Sequence, residues 1–447
     1  MRHVERSAVG TRALSGIGRT CRVVGVASLL SLVALGAAAQ VQPPTVTFEA
    51  MVADLGNDDP EVRLRAVLAL KQAAFPESAV PLTRSLADSD DRVQAEAIAA
   101  ELNIWLGEKV IPRKRVGLVV EVRTRISPRQ IFDQGPNALD AAPVPAAVLT
   151  ALRTASHDDN PRVSLDALYA FGALADNTYG RDRAALLAAS GPELAPALGV
   201  PQGDLRTAAI RVVTRLYAWR MGDAAVDPVI GDAVVTALND RDFSIRTAAM
   251  EALGALRYDR GVQSLTDIYQ HFQRGTNAVT ALTALARIAH PSSLPLFTAA
   301  LGGRDAMLKL PAIEGLARSG ANDQAAAIVS SLSTERNQEL LLAGHFASVL
   351  LSNGSLNDLV ESLTRTRLRN RALIYLVDVA PGRARALGPH VPDPEPGVRA
   401  DLAQVLGLSG DPEAQALLRP LTQDADPVVA RAAARALARL AGTVAQP

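Results

Sequence analysis

The side chains able to do chemistry are few, and they are spaced badly for it. Beyond the first 39 residues the histidines are His157, His271, His290, His345 and His390. None lies three or four residues from another, the spacing at which one helix face offers two imidazoles to a metal. The single cysteine is Cys21. No Gly-rich phosphate loop, CxxCH or GxSxG pattern occurs. Acids are plentiful but fall in short Asp- and Pro-containing turns, where helix capping accounts for them; His157-Asp158-Asp159 is one such turn. No catalytic group, metal site or cofactor is therefore expected. What remains is recognition. Arg113, Lys114, Arg115, Arg123 and Arg125 lie in the most basic stretch of the chain, flanked by Lys109 and Arg129, and Trp219 with Tyr217 reads either as an exposed aromatic anchor or as a core plug between helices.

The elements that must position these residues repeat. Asp424 to Gly442 reads DADPVVARAAARALARLAG: an acid before proline, then Val429, Ala433, Ala436, Leu437 and Leu440 at helical spacing, then a glycine stop. Arg431, Arg435 and Arg439 fall four apart on another face. Such a helix cannot bury its apolar side alone. Copies occur upstream, with the apolar marker at Val62, Val93, Val163, Leu205, Ile245, Leu308, Leu368, Val398 and Val429. Asn277 and Glu339 fill two gaps by spacing alone. From Ile245 onward the steps are 32, 31, 31, 29, 30 and 31 residues, a steady period.

This pattern, D-x-D-P-x-V-R-x-x-A-x-x-A-L-G, resembles the HEAT repeat, in the short form also seen in bilin-lyase-like proteins. The resemblance covers Thr45 to Gly442. It implies an all-α superhelix of the HEAT/armadillo type with about eleven helix pairs, whose second helices line a concave side used for binding partners. It also implies a ladder, in which Arg63, Arg206, Arg246, Arg369, Arg399 and Lys309, each following a marker, pair with turn acids of adjacent repeats. Gln94, Ser164 and Ala430 depart from it, so the ladder is expected to break there. One HEAT-type family, the deoxyhypusine hydroxylases, holds iron through His-Glu pairs; no His-Glu dipeptide occurs here.

Three places break the period. Residues 107–145 are an insertion in which Val116, Leu118, Val120 and Val122 alternate with other residues in strand rhythm. It reads either as a β-hairpin bearing solvated charge or as a docking element for an acidic partner. Extra residues around Asp176 to Arg183 and Tyr217 to Asp227 read as longer turns. Repeats then fill 40–106 and 146–447, and the final helix reads as a cap with its arginines outward.

Residues 1–39 resemble a bacterial secretory signal: Arg2, Arg6, Arg12, Arg19 and Arg22, an apolar run from Val23 to Gly36, and the Ala37-Ala38-Ala39 triplet. A periplasmic or secreted protein is expected, the alternative being an anchor left uncleaved. Cleavage removes 5 of 46 basic and 1 of 46 acidic residues, leaving 41 − 45 = −4. That balance excludes general nucleic-acid binding. No disulfide and no membrane span would then remain. The expected function is a non-catalytic scaffold for a protein or peptide; the alternatives are a lyase-like enzyme on the same scaffold and a structural spacer.

Overall fold

The computed structural model describes residues 47–107, 127–220 and 225–444, which belong to one compact unit. The expected signal and the residues carrying the strand rhythm and Arg113, Lys114, Arg115, Arg123 and Arg125 lie outside them. Among the described residues the chain is all helix, with one isolated bridge between Leu106 and Leu139.

Eleven patterned second helices occur: Pro60–Ala73, Asp91–Trp105, Pro161–Leu174, Gly203–Tyr217, Phe243–Leu256, Gly275–Ile288, Ala306–Arg318, Gln338–Ser352, Arg369–Val379, Pro396–Leu408 and Pro427–Val444. Each follows a first helix of its own, so eleven pairs stack. Seven of the nine apolar markers are buried, Val93, Ile245 and Val429 completely, while Val62 and Leu205 are half-buried. In the two degenerate repeats the apolar contact slips one residue on, to Ala278 and Leu340, while Asn277 and Glu339 stay at the rim.

The D-x-D-P turn is explained by its bonds. Its second acid caps the helix: Asp59, Asp90, Asp242 and Asp426 accept from the backbone N–H two residues on at 2.8–2.9 Å. Its first acid folds the turn, as Asp88, Asp240 and Asp424 accept from the N–H of that second acid at 2.8–2.9 Å. The arginine after the marker ties both to the next repeat. Arg63 donates from one nitrogen to the carbonyls of Asn57 and Asp58, and from two others to Asp88 at 2.7 Å each. Arg399 repeats this with Asp393, Pro394 and Asp424, and Arg206 with Val200, Pro201 and Asp240. Arg246 keeps only its own carbonyls, those of Asp240 and Arg241. Arg369 reaches past the turn to Asp401 at 2.7 Å. The ladder is not broken at Gln94, whose amide holds Asp158 of the next turn at 2.9 Å. An amide is long enough to span the gap that the guanidinium fills elsewhere.

The glycine of the A-L-G signature has a packing reason. A Cβ on Gly254 would sit 2.8 Å from the Ala284 Cα, and one on Gly407 2.6 Å from the Ala436 Cα. Only glycine lets consecutive second helices approach so closely.

Three expectations need correction. The described end of the insertion is helical (Pro128–Gln134), with Pro128 buried one turn before Ile131 and Phe132, so one helix face meets the core. The extra residues near Asp176 do not lengthen a turn. They follow a 3-10 turn at Ala175–Asn177 and extend the fourth repeat's first helix to Gly180–Ala197, 18 residues. The terminal helix is no outward cap. Arg435 is 2% exposed and donates to Asn137, Asn177 and the carbonyls of Leu139 and Asp140. Arg431 packs on Gly107. A Cβ on Gly442 would lie 2.7 Å from the Cα of Gly180, whose φ of +55° a side chain would strain. The Arg431, Arg435, Arg439 and Gly442 stripe thus docks on the segment that leads into and out of the third repeat.

One core position breaks the repeat. Eight residues after the marker stands leucine in the repeats of Val62, Ile245, Leu308, Leu368, Val398 and Val429, and Glu101 in that of Val93. Glu101 is fully buried with neither oxygen hydrogen-bonded. Burial pushes its carboxyl well above the usual range, with the Trp105 indole opposing. A raised acid is protonated in the fold and ionised in the unfolded chain, so its share of stability falls as pH rises above 4.5. Glu101→Leu should stabilise the protein at neutral pH by about 1–3 kcal/mol. Thermal melts at pH 5 and pH 8 check it, since the gain must be larger at pH 8.

Candidate functional site on the inner face

Glu314, six residues after its marker, and Arg318 and Asp378, ten after theirs, face inward, as their reach across non-adjacent repeats shows. The most connected group spans repeats four to nine. Asp378 of the ninth repeat receives Arg318 of the seventh at 2.8 Å and Arg257 of the fifth at 2.6 Å. Glu314 of the seventh receives Arg318 at 3.2 Å, Arg371 at 2.8 Å and the Tyr375 hydroxyl at 2.5 Å. Tyr375 stacks on Phe346 with centroids 4.2 Å apart, and Arg318 lies over that ring at 5.0 Å. Burial alone would raise the Glu314 carboxyl, but Arg318 and Arg371 outweigh it and hold it below the usual range. This half of the inner face is filled by its own side chains.

At its edge the pairing is incomplete. Trp219 is half-buried, neither a core plug nor a free anchor. Its backbone N–H donates to the Ala255 carbonyl at 2.9 Å, and the Arg257 guanidinium lies 3.8 Å from its ring centroid. Burial lowers the Arg257 pKa, Asp378 opposes the shift, and Arg318 and Arg287 add to it. Arg287 is lowered by burial and by Arg318, and makes no hydrogen bond or ion pair among the described residues. An indole beneath one desolvated guanidinium, with a second beside it, fits a carboxylate carried next to apolar surface.

Of the candidate residues in the sequence Trp219 and Tyr217 are described, and Tyr217 is buried, its hydroxyl donating to the Leu187 carbonyl at 2.7 Å. Arg257, Arg287, Glu314 and Asp378 were not singled out there. Their signal was the ten-residue offset from the marker, which Arg287, Arg318 and Asp378 share. His157 is structural, its ring held by the carbonyls of Arg153 and Glu193. Among the described residues no group of three or more His, Cys, Asp or Glu could hold a metal, and no helix is long and apolar enough to cross a membrane.

Residues 384–447 match a family described as HEAT repeats. The fold is a HEAT-type solenoid. Solved structures of that class are similar over most of the chain. An engineered protein is 17% identical over 87% of this chain and 98% of its own, with a TM-score of 0.37. Kap121p is 12% identical over 86% of this chain, TM-score 0.37, and the chain spans 44% of it. Human deoxyhypusine hydroxylase is 16% identical over 57% of this chain and 98% of its own, TM-score 0.28. These likenesses concern the fold alone. No curated protein matches in sequence.

Proposed function

We propose that the protein is an exported, non-catalytic scaffold whose inner face takes a protein or peptide partner through Trp219, Arg257 and Arg287. The observation that carries this reading is that Arg287, beside the Trp219–Arg257 stack, makes no direct ion pair among the described residues and is answered only at longer range by Glu314, Asp378 and Glu251, so that a partner carboxylate would pair with it. The basic N-terminal segment, the apolar run from Val23 and the alanine triplet support export. The mature chain is expected to begin at Gln40, which intact mass of the purified protein checks.

Pull-down with the mature chain from envelope extract tests binding. A partner should be captured by the native chain and lost with Arg287→Ala or Trp219→Ala. Capture indifferent to both substitutions, or reproducible small-molecule turnover without a protein partner, would sink the proposal. Charge reversal of Arg113, Lys114 and Arg115 asks whether the insertion shares in docking. Weakened capture is expected.

A further inference from the structure

Among the described residues, the seam between the terminal helix and the third repeat holds more positive charge than Asp176 alone answers. Asp176, 3% exposed, receives Arg215 at 2.5 Å and Arg220 at 2.9 Å. Arg435, equally buried, is met only by neutral oxygens. Arg439 makes no hydrogen bond or ion pair among the described residues, and its Nε is buried without an acceptor. Burial, with repulsion from Arg220, lowers its pKa to about 9 against the pull of Asp176. Buried guanidinium groups without a counter-charge are costly, so the arrangement asks for an anion.

The place for one is beside these arginines. A cavity of about 10 Å³ is lined by Arg435, Arg439, the amide side chains of Asn137 and Gln404, and the methyl groups of Ala432 and Ala436. No carboxylate lines it. Gln404 makes no hydrogen bond to the described residues, leaving its amide N–H groups to donate. The volume is near the lower limit for one water-sized body, which a monatomic anion approaches more closely than a tetrahedral oxyanion does. Two guanidinium groups, amide donors and apolar carbon around a water-sized space describe a halide site. We infer that chloride binds between Arg435 and Arg439 and holds the terminal helix to the third repeat.

The test is thermal melting of the full mature chain at fixed ionic strength, with chloride replaced stepwise by gluconate, which is too large to enter. The expected result is a saturable rise in melting temperature with chloride, matched by bromide and not by sulfate. Arg439→Met should remove the dependence on chloride while melting higher than the native chain in gluconate. Gln404→Glu supplies a carboxylate within the protein and should do the same without touching an arginine. Native melting curves identical in chloride and gluconate would overturn the inference. So would an equal shift with sulfate, or a chloride dependence that persists in both variants.

Discussion

Asp176→Ala should destabilise the protein by about 3–5 kcal/mol, because it strands buried cations that share one acid. Arg215 and Arg220 lose their ion pairs, and Arg439 is left facing Arg220 without the acid that offsets it. Denaturant titration followed by circular dichroism measures the loss; a cost below about 1 kcal/mol would mean the cluster relaxes into water. The pH dependence has a definite sign. Burial would raise this carboxyl, but Arg215, Arg220 and Arg439 depress it well below 3.8. A depressed acid contributes stability above its unfolded value and loses it as pH falls through its folded value. The difference between Asp176→Asn and the native chain should therefore be full at pH 6 and shrink only in strong acid, below pH 3.8.

Glu314→Ala should cost a similar amount, about 3–5 kcal/mol. Its carboxylate answers Arg318 and Arg371 and accepts from Tyr375, and the side chain is only 4% exposed. Removal leaves Arg318 with Asp378 alone and the Tyr375 hydroxyl without an acceptor. A cycle with Tyr375→Phe separates these effects: the two substitutions should couple by about 0.5–3 kcal/mol, since both delete one bond. Additive losses would show that the hydroxyl finds another acceptor. The contrast is Arg385 with Glu413, whose side chains are 87% and 54% exposed and whose loss should be close to unmeasurable. Burial, not the number of ion pairs, decides which of them matters.

The architecture was legible because each repeat states its own register. The marker, the acid before it and the glycine nine residues after it each answer to one local contact, and period and caps agree. The ladder was legible at Arg63, Arg206 and Arg399, failed at Arg246, which keeps only its own carbonyls, and was missed where Gln94 makes the same reach. Glu101 was visible as an acid in a leucine column, a signal that needs only the repeats laid over one another. The terminal arginines were misread for a physical reason. A four-residue polar spacing shows that a helix face is polar, but not whether water or another polar surface meets it. Arg435 finds Asn137, Asn177 and two carbonyls about 260 to 300 residues away, and nothing within its own repeat announces them. The inner-face group was hidden likewise, since Arg257 and Asp378 lie 121 residues apart.

The docking of the terminal helix also bears on how such a chain can change in length. A solenoid whose units touch only their neighbours can gain or lose one unit and remain well packed. Here Arg435 must land on Asn137 and Asn177, and Gly442 on Gly180. Deleting one helix pair would displace that landing by roughly 10 Å, the spacing of packed helices. Eleven is therefore a number the fold enforces, and a duplication within the array would have to open the seam to be tolerated.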